Sequence, residues 1–202
     1  MAAIVGLILA GGGASRMGGG DKPLLEVGGV SIIARIIAAI GADLAALAIS
    51  ANGDPARFAA CGLPILADEF AGQGPLAGLC AGLDWAATRG ARCLLSVPGD
   101  TPFLPRGLAA ALAPGPSFAA CAGGDHPLAA LWPVSHRHEL RRFLGTPSSR
   151  AVAGFSARIG ARRVTFPPEQ AFGFINVNTP ADLATARAIA DDRSAGKADA
   201  AV

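Results

Sequence analysis

Short apolar runs alternate with amphipathic or alanine-rich stretches along this chain, the pattern of an α/β fold on a mostly parallel sheet. Ile4–Leu9 reads as a buried first strand, and Ser31–Ile40 repeats its apolar residues at helical spacing. Leu47–Ser50 is a second strand, closed by the turn Asn52-Gly53-Asp54-Pro55 and followed by a short helix near Ala56–Cys61. Pro64–Ala67 is a brief third strand. Pro75–Thr88 reads as a helix with proline at its first position, where a missing N–H costs nothing. Arg92–Val97 is the next buried strand and stops at Pro98-Gly99-Asp100.

The second half keeps this rhythm. A helix is expected over Leu104–Leu112, strands over Phe118–Cys121 and Leu128–Pro133, and helices over Val134–Leu144 and Arg150–Ile159. A strand near Arg163–Phe166 precedes the last helix, which starts at Thr179 and runs to about Ala190. Its start carries a hydroxyl cap, Pro180, and an acid at Asp182. No linker separates two units, so residues 1–190 are expected to form one domain, with 191–202 a frayed tail.

Composition narrows the function. Hydrophobic residues make up 51% and charged residues 16%, which excludes a disordered charged protein. A net charge of +2 is too small to predict binding to nucleic acid or an anionic membrane. No apolar stretch reaches the ~18 residues of a membrane span. Met1–Ala10 lacks the basic start of a signal peptide. Cys61, Cys80, Cys93 and Cys121 are too far apart for a Cys-x-x-Cys motif and sit among apolar neighbours, as expected of reduced thiols in a cytoplasmic protein.

Of the 27 glycines, nine fall within the first 29 residues, and that clustering is the chief clue. After the first strand comes Leu9-Ala10-Gly11-Gly12-Gly13-Ala14-Ser15-Arg16-Met17-Gly18-Gly19-Gly20-Asp21-Lys22. Glycines let backbone N–H groups approach a phosphate chain, and Arg16 and Lys22 add charge suited to a polyphosphate. This is no Walker A loop, because Pro23 follows the lysine where a Ser or Thr would bind magnesium. The spacing does not fit the dinucleotide fingerprint either. Asp100, at the carboxyl end of a strand, is placed to hold Mg²⁺ against phosphate oxygens. Main chain brought close by Gly74, Pro75 and Gly78 suits reading of a base edge. Asn176 and Asn178 alternate on an extended segment and present both amides to one side, suiting a heteroatom-rich ligand.

These motifs resemble those of the molybdenum cofactor guanylyltransferases, within a wider nucleotidyltransferase group. The match runs through Leu9–Lys22, Gly74-Pro75-Leu76-Ala77-Gly78, Pro98–Pro105 and Phe174-Ile175-Asn176-Val177-Asn178-Thr179-Pro180, nearly the whole chain. The resemblance implies a three-layer, Rossmann-like nucleotidyltransferase fold and transfer of GMP from Mg-GTP to molybdenum-molybdopterin. It implies catalytic roles for Arg16, Lys22 and Asp100, with Asp100 touching both metal and nucleotide. Nucleotide contacts are expected from Leu9, Ala10, Gly11, Gly12, Lys22, Asp68, Gly74, Pro75, Leu76 and Gly78, and from Ser50 or Asn52, between which alignment does not decide. Asn176, Asn178 and Arg150 are expected on the molybdopterin side. Gly11 favours GTP, because cytidylyl relatives tend to carry alanine there. Cytidylyl transfer, a sugar-phosphate substrate and a GTP-binding delivery module remain alternatives. Molybdoenzymes or their chaperones are expected as recipients of product, and a monomer is the default.

Overall fold

A computed structural model describes residues 3–11, 21–70, 74–145 and 151–199. The first strand β1 (Ile4–Leu9) lies inside a seven-stranded sheet, because its apolar residues are buried on both faces. A two-stranded hairpin, β2 (Glu26–Val27) and β3 (Val30–Ser31), leads into helix α1 (Ile32–Ile40). Ser31 caps that helix through its side-chain oxygen, which accepts from Ala34 N at 3.3 Å. There follow β4 (Leu47–Ser50), β5 (Ile65–Leu66), α2 (Pro75–Thr88), β6 (Cys93–Pro98), α3 (Leu108–Leu112), β7 (Ser117–Cys121) and β8 (Gly124–Pro133). Helices α4 (Arg137–Leu144) and α5 (Val152–Arg158), strand β9 (Arg162–Thr165) and helix α6 (Pro180–Asp199) complete the order.

The strand order is β5-β4-β1-β6-β8-β7-β9, and β8 alone runs against its neighbours. Helices α1, α3 and α6 bury residues such as Ile36, Leu112 and Ala186 against one face of the sheet. Helices α2, α4 and α5 bury Leu79, Leu140 and Phe155 against the other. This is the expected three-layer α/β arrangement.

Some boundaries move for identifiable reasons. The helix expected from Leu104 starts only at Leu108, because Gly107 takes a left-handed φ of +71°. Strand β8 begins at Gly124 rather than Leu128, since pairing with β7 extends it through Asp125 and His126. Helix α6 runs through Asp191 to Asp199, and its alanine-rich composition suits a helix. Among the described residues no helix is long and apolar enough to cross a membrane.

One buried polar relay ties β6 to β8. Ser96 Oγ donates to Leu128 O at 2.7 Å and accepts from Trp132 Nε1 at 2.8 Å. Ser96 and Trp132 are almost wholly buried, so neither partner has water to fall back on. Ser96→Ala should therefore lower unfolding free energy by about 1–3 kcal/mol in a urea titration. A loss below about 0.5 kcal/mol, the range of an ordinary surface change, would refute this account.

Candidate active site

The site is set by how closely two strand ends approach. Strands β1 and β6 pair in parallel from Ile4 with Cys93 to Leu9 with Pro98. Beyond the last pair, Gly99 N donates to Leu9 O at 2.9 Å. A Cβ on Gly99 would stand 3.0 Å from Leu9 O and 3.1 Å from Ala10 Cα, backbone atoms that cannot step aside. Glycine is therefore needed for the next residue, Asp100, to lie beside Leu9–Gly11. A cleft of about 390 Å³ opens at this carboxyl edge of the sheet, where open α/β sheets bind their ligands.

Asp100, Lys22, Asn176 and Asn178 all line this cleft, together with Leu9, Ala10 and Gly11. Burial pushes the Asp100 carboxyl above its ordinary value, opposed by the Lys22 charge, its own backbone N–H and the Thr101 hydroxyl. The Thr101 hydroxyl lies 3.5 Å from Asp100 Oδ1 and 3.1 Å from Asn176 Oδ1. Val177 N donates to the Asp100 carbonyl at 2.8 Å, which docks the asparagine segment on the β6 turn. Lys22 Nζ donates to Asn178 Oδ1 at 2.8 Å. Asn178 is held in turn by the start of α6. Asp182 Oδ2 accepts from Asn178 N at 2.9 Å and Thr179 N at 2.8 Å, while Asp182 N donates to Thr179 Oγ1 at 3.2 Å. The bond from Asn178 N, then those from Thr179, hold the Asp182 carboxyl below its ordinary value. The asparagine segment belongs to no strand, yet both amides reach the cleft as their alternation predicts.

A second pocket of about 270 Å³ adjoins the first and shares Leu9, Gly11 and Pro75 with it. Ser50 and Asn52 both line this pocket and both hold Asp68. Ser50 Oγ donates to Asp68 Oδ1 at 3.2 Å, Asn52 Nδ2 donates to Oδ2 at 2.9 Å, and Asp68 N returns a bond to Asn52 Oδ1 at 2.9 Å. Gly74, with φ +64°, makes the turn into α2. Gly78 leaves the room in which this group sits, since a Cβ there would stand 2.3 Å from Ser50 Oγ and 3.2 Å from Asp68 Oδ1. A Cβ on Gly11 would meet none of the described residues within 4 Å. Leu76 is the exception among the expected contacts: its side chain is wholly buried against the sheet and lines neither pocket.

Gly12, Arg16 and Arg150 lie outside the described residues. Arg57 is a residue that sequence reasoning missed. It pairs with the Asp21 carboxylate and donates to Asn52 O at 2.6 Å, linking the residue before Lys22 to the Asp68 pocket. Its Nε is buried without a hydrogen-bond partner among the described residues. Glu69 is exposed and pairs with Arg141 at 3.0 Å, and Arg141 also reaches Asp84 of α2. The described residues contain no group of three or more His, Cys, Asp or Glu able to hold a metal by themselves.

Comparison with known proteins settles the family. Residues 6–161 match the model of the MobA-like NTP transferase domain. A molybdenum cofactor guanylyltransferase of Acidiphilium cryptum (strain JF-5) is 50% identical over 183 residues, covering 90% of this chain and 93% of its own. The chain belongs to the molybdenum cofactor guanylyltransferase family. A second member, from Rhodopseudomonas palustris (strain HaA2), is 49% identical over 194 residues, covering 91% of each chain. The fold is shared with molybdopterin-guanine dinucleotide biosynthesis protein A of Archaeoglobus fulgidus, at a TM-score of 0.70 and 21% identity, over 94% of this chain and 99% of that one. The motifs that carried the resemblance in the sequence are thus those of a nucleotidyltransferase family.

Gly78→Ala offers a direct check on the second pocket. The added methyl displaces Ser50 and Asp68 and overpacks a buried contact, so stability should fall by about 1–3 kcal/mol with the fold retained. Affinity for a nucleoside triphosphate should fall about tenfold or more by calorimetric titration. Wild-type affinity in this variant would show that the pocket does not bind nucleotide.

Proposed function

We propose that this chain transfers GMP from Mg-GTP to the terminal phosphate of molybdenum-molybdopterin in the cytoplasm, forming molybdopterin guanine dinucleotide and pyrophosphate. One observation carries the reading: Asp100, Lys22, Asn176 and Asn178 converge on a cleft continuous with the Asp68 pocket. In this reading the guanosine lies in the Asp68 pocket. The Asp68 oxygens retain lone pairs beyond those used by Ser50 and Asn52, so they can accept from sugar hydroxyls or base N–H groups. Main chain from Gly74 to Gly78 supplies donors and acceptors for a purine edge.

The triphosphate then crosses the shared wall at Leu9 and Gly11 into the larger cleft. Lys22 and Arg16 hold the pyrophosphate portion, and the glycine amides hold the α-phosphate. An acceptor phosphate oxygen attacks the α-phosphorus in line, and the bond from that phosphorus to the bridging oxygen of pyrophosphate breaks. No covalent protein intermediate is needed, so the protein contributes position and charge. Asn176, Asn178 and Arg150 orient the acceptor.

Asp100 suits a magnesium ion. It is a carboxylate whose charge burial disfavours, and a cation beside it relieves that cost. A single protein carboxylate also matches an ion that takes its other ligands from phosphate oxygens and water. Bound there, the ion supplies charge that offsets the negative charge gathering on the leaving pyrophosphate.

Asp100→Asn tests the assignment without changing shape. Turnover should drop by about 10²-fold or more. The melting temperature should stay level or rise, because the amide removes a charge that burial disfavours. Turnover near the wild-type rate in magnesium would remove Asp100 from the mechanism. A parallel assay of GTP, CTP and UTP with molybdopterin acceptor should show incorporation of GMP; preferred use of CTP or UTP would replace this reading with a sibling transferase.

A further inference from the structure

Strand β8 contributes a wall of the larger cleft that the mechanism above leaves without a task. His126 stands on it, facing the same space as Asp100 and Asn176. Its imidazole is held on two sides. One face stacks on Phe174, with ring centres 4.8 Å apart and planes inclined by 19°, and Phe174 itself packs edgewise on Phe166. One ring nitrogen, Nε2, lies 3.1 Å from Cys121 Sγ across the β7–β8 hairpin. The other nitrogen, Nδ1, has no partner among the described residues. Burial holds the imidazole below its ordinary pKa, opposed in part by Asp125, whose carboxylate is engaged by Arg163 at 2.7 Å. The ring is therefore neutral near pH 7, with one hydrogen to place on one of two nitrogens.

The position of this wall says what it meets. In-line displacement brings the attacking phosphate in on the side opposite the departing pyrophosphate. The nucleoside occupies the Asp68 pocket and the pyrophosphate lies with Lys22, which leaves the β8 wall to the acceptor. We propose that His126 binds the acceptor, its Nδ1–H donating a hydrogen bond to the acceptor phosphate while the Cys121 thiol donates to Nε2 and fixes that tautomer. This inference rests on the function proposed above.

The chemistry favours this arrangement over its reverse. If Nε2 carried the hydrogen and pointed it at sulfur, Nδ1 would turn a lone pair towards an anionic phosphate and repel it. With the thiol hydrogen on Nε2, Nδ1 must carry the proton and attracts the same oxygen. A neutral donor also suits the task. It orients the nucleophile without drawing off the negative charge that makes the attack possible, as a full cation beside it would. The ring's stacking on Phe174 removes its freedom to swing, so little is lost when the acceptor docks.

Steady-state kinetics of the full chain with GTP, magnesium and molybdopterin acceptor separate this role from a structural one. His126→Ala should raise the acceptor KM about tenfold or more and leave the GTP KM within about twofold. His126→Asn places an amide N–H where Nδ1–H stands and should recover most of the acceptor affinity, whereas His126→Gln, whose amide reaches the Nε2 position, should not. Cys121→Ala should weaken the acceptor by less than His126→Ala, and Cys121→Ser, which still has a hydrogen to donate, should restore it. Should His126→Ala fail to fold, the Asn and Gln variants carry the comparison. An unchanged acceptor KM in His126→Ala, equal behaviour of Asn and Gln, or a parallel rise in the GTP KM overturns the proposal. Acceptor Kd values for the same series, measured calorimetrically, keep the two readings apart. Wild-type protein that binds the acceptor but forms no product overturns the proposed reaction alone, and the Kd series still decides His126. Wild-type protein that binds no acceptor overturns both.

Discussion

The hydrogen bond from Gly99 to Leu9 is the constraint on which the rest of the site depends. It extends the β1–β6 ladder one step past the sheet edge, at a point where any side chain would strike backbone. That contact sets Asp100 beside Leu9–Gly11. Asp100 then receives Val177 through its carbonyl, and Val177 carries Asn176 and Asn178 with it. Lys22 completes the ring by bonding Asn178. Three segments that are remote in sequence thus lock one another, and none would hold its place if the strand ends stood further apart.

Much of this was legible in the sequence wherever chemistry and local pattern coincide. Ile4–Leu9 and Pro75–Thr88 form the expected elements, because an apolar run ending in glycines and a proline-led helix are local signals. Asp100, Lys22, Asp68 and the two asparagines were visible because each sits at a strand end or in a motif. The start of α6 was visible for the same reason: Thr179 and Asp182 bond each other across one turn, as a capping pair does.

What the sequence hid was made by distance along the chain. The Arg57–Asp21 pair spans 36 residues, the Thr101–Asn176 bond 75 and the Lys22–Asn178 bond 156. No periodicity reports such partners. Strand β8 was foreshortened for a related reason, since Gly124–Pro127 lacks the composition of a strand and becomes one only through its pairing with β7. No local motif marks His126, because its meaning lies in Phe174 and Cys121, which reach it from a later segment and from the neighbouring strand.

Along α2, Gly78 and Gly82 lie on the side turned towards β1, where added methyls would strike Ser50 and Leu7. The helix can therefore rest close to the strand, and the α2 wall of the Asp68 pocket is main chain, facing the Ser50 and Asp68 side chains. That wall has no rotamers to freeze when a ligand arrives, and the Asp68 carboxylate opposite it is already held by Ser50 and Asn52. Such a pocket is pre-shaped: little of the ligand's interaction energy goes into ordering the protein, and more is left for holding the phosphates in register. It is also stubborn to redesign, because changing its width means moving a helix rather than swapping a side chain.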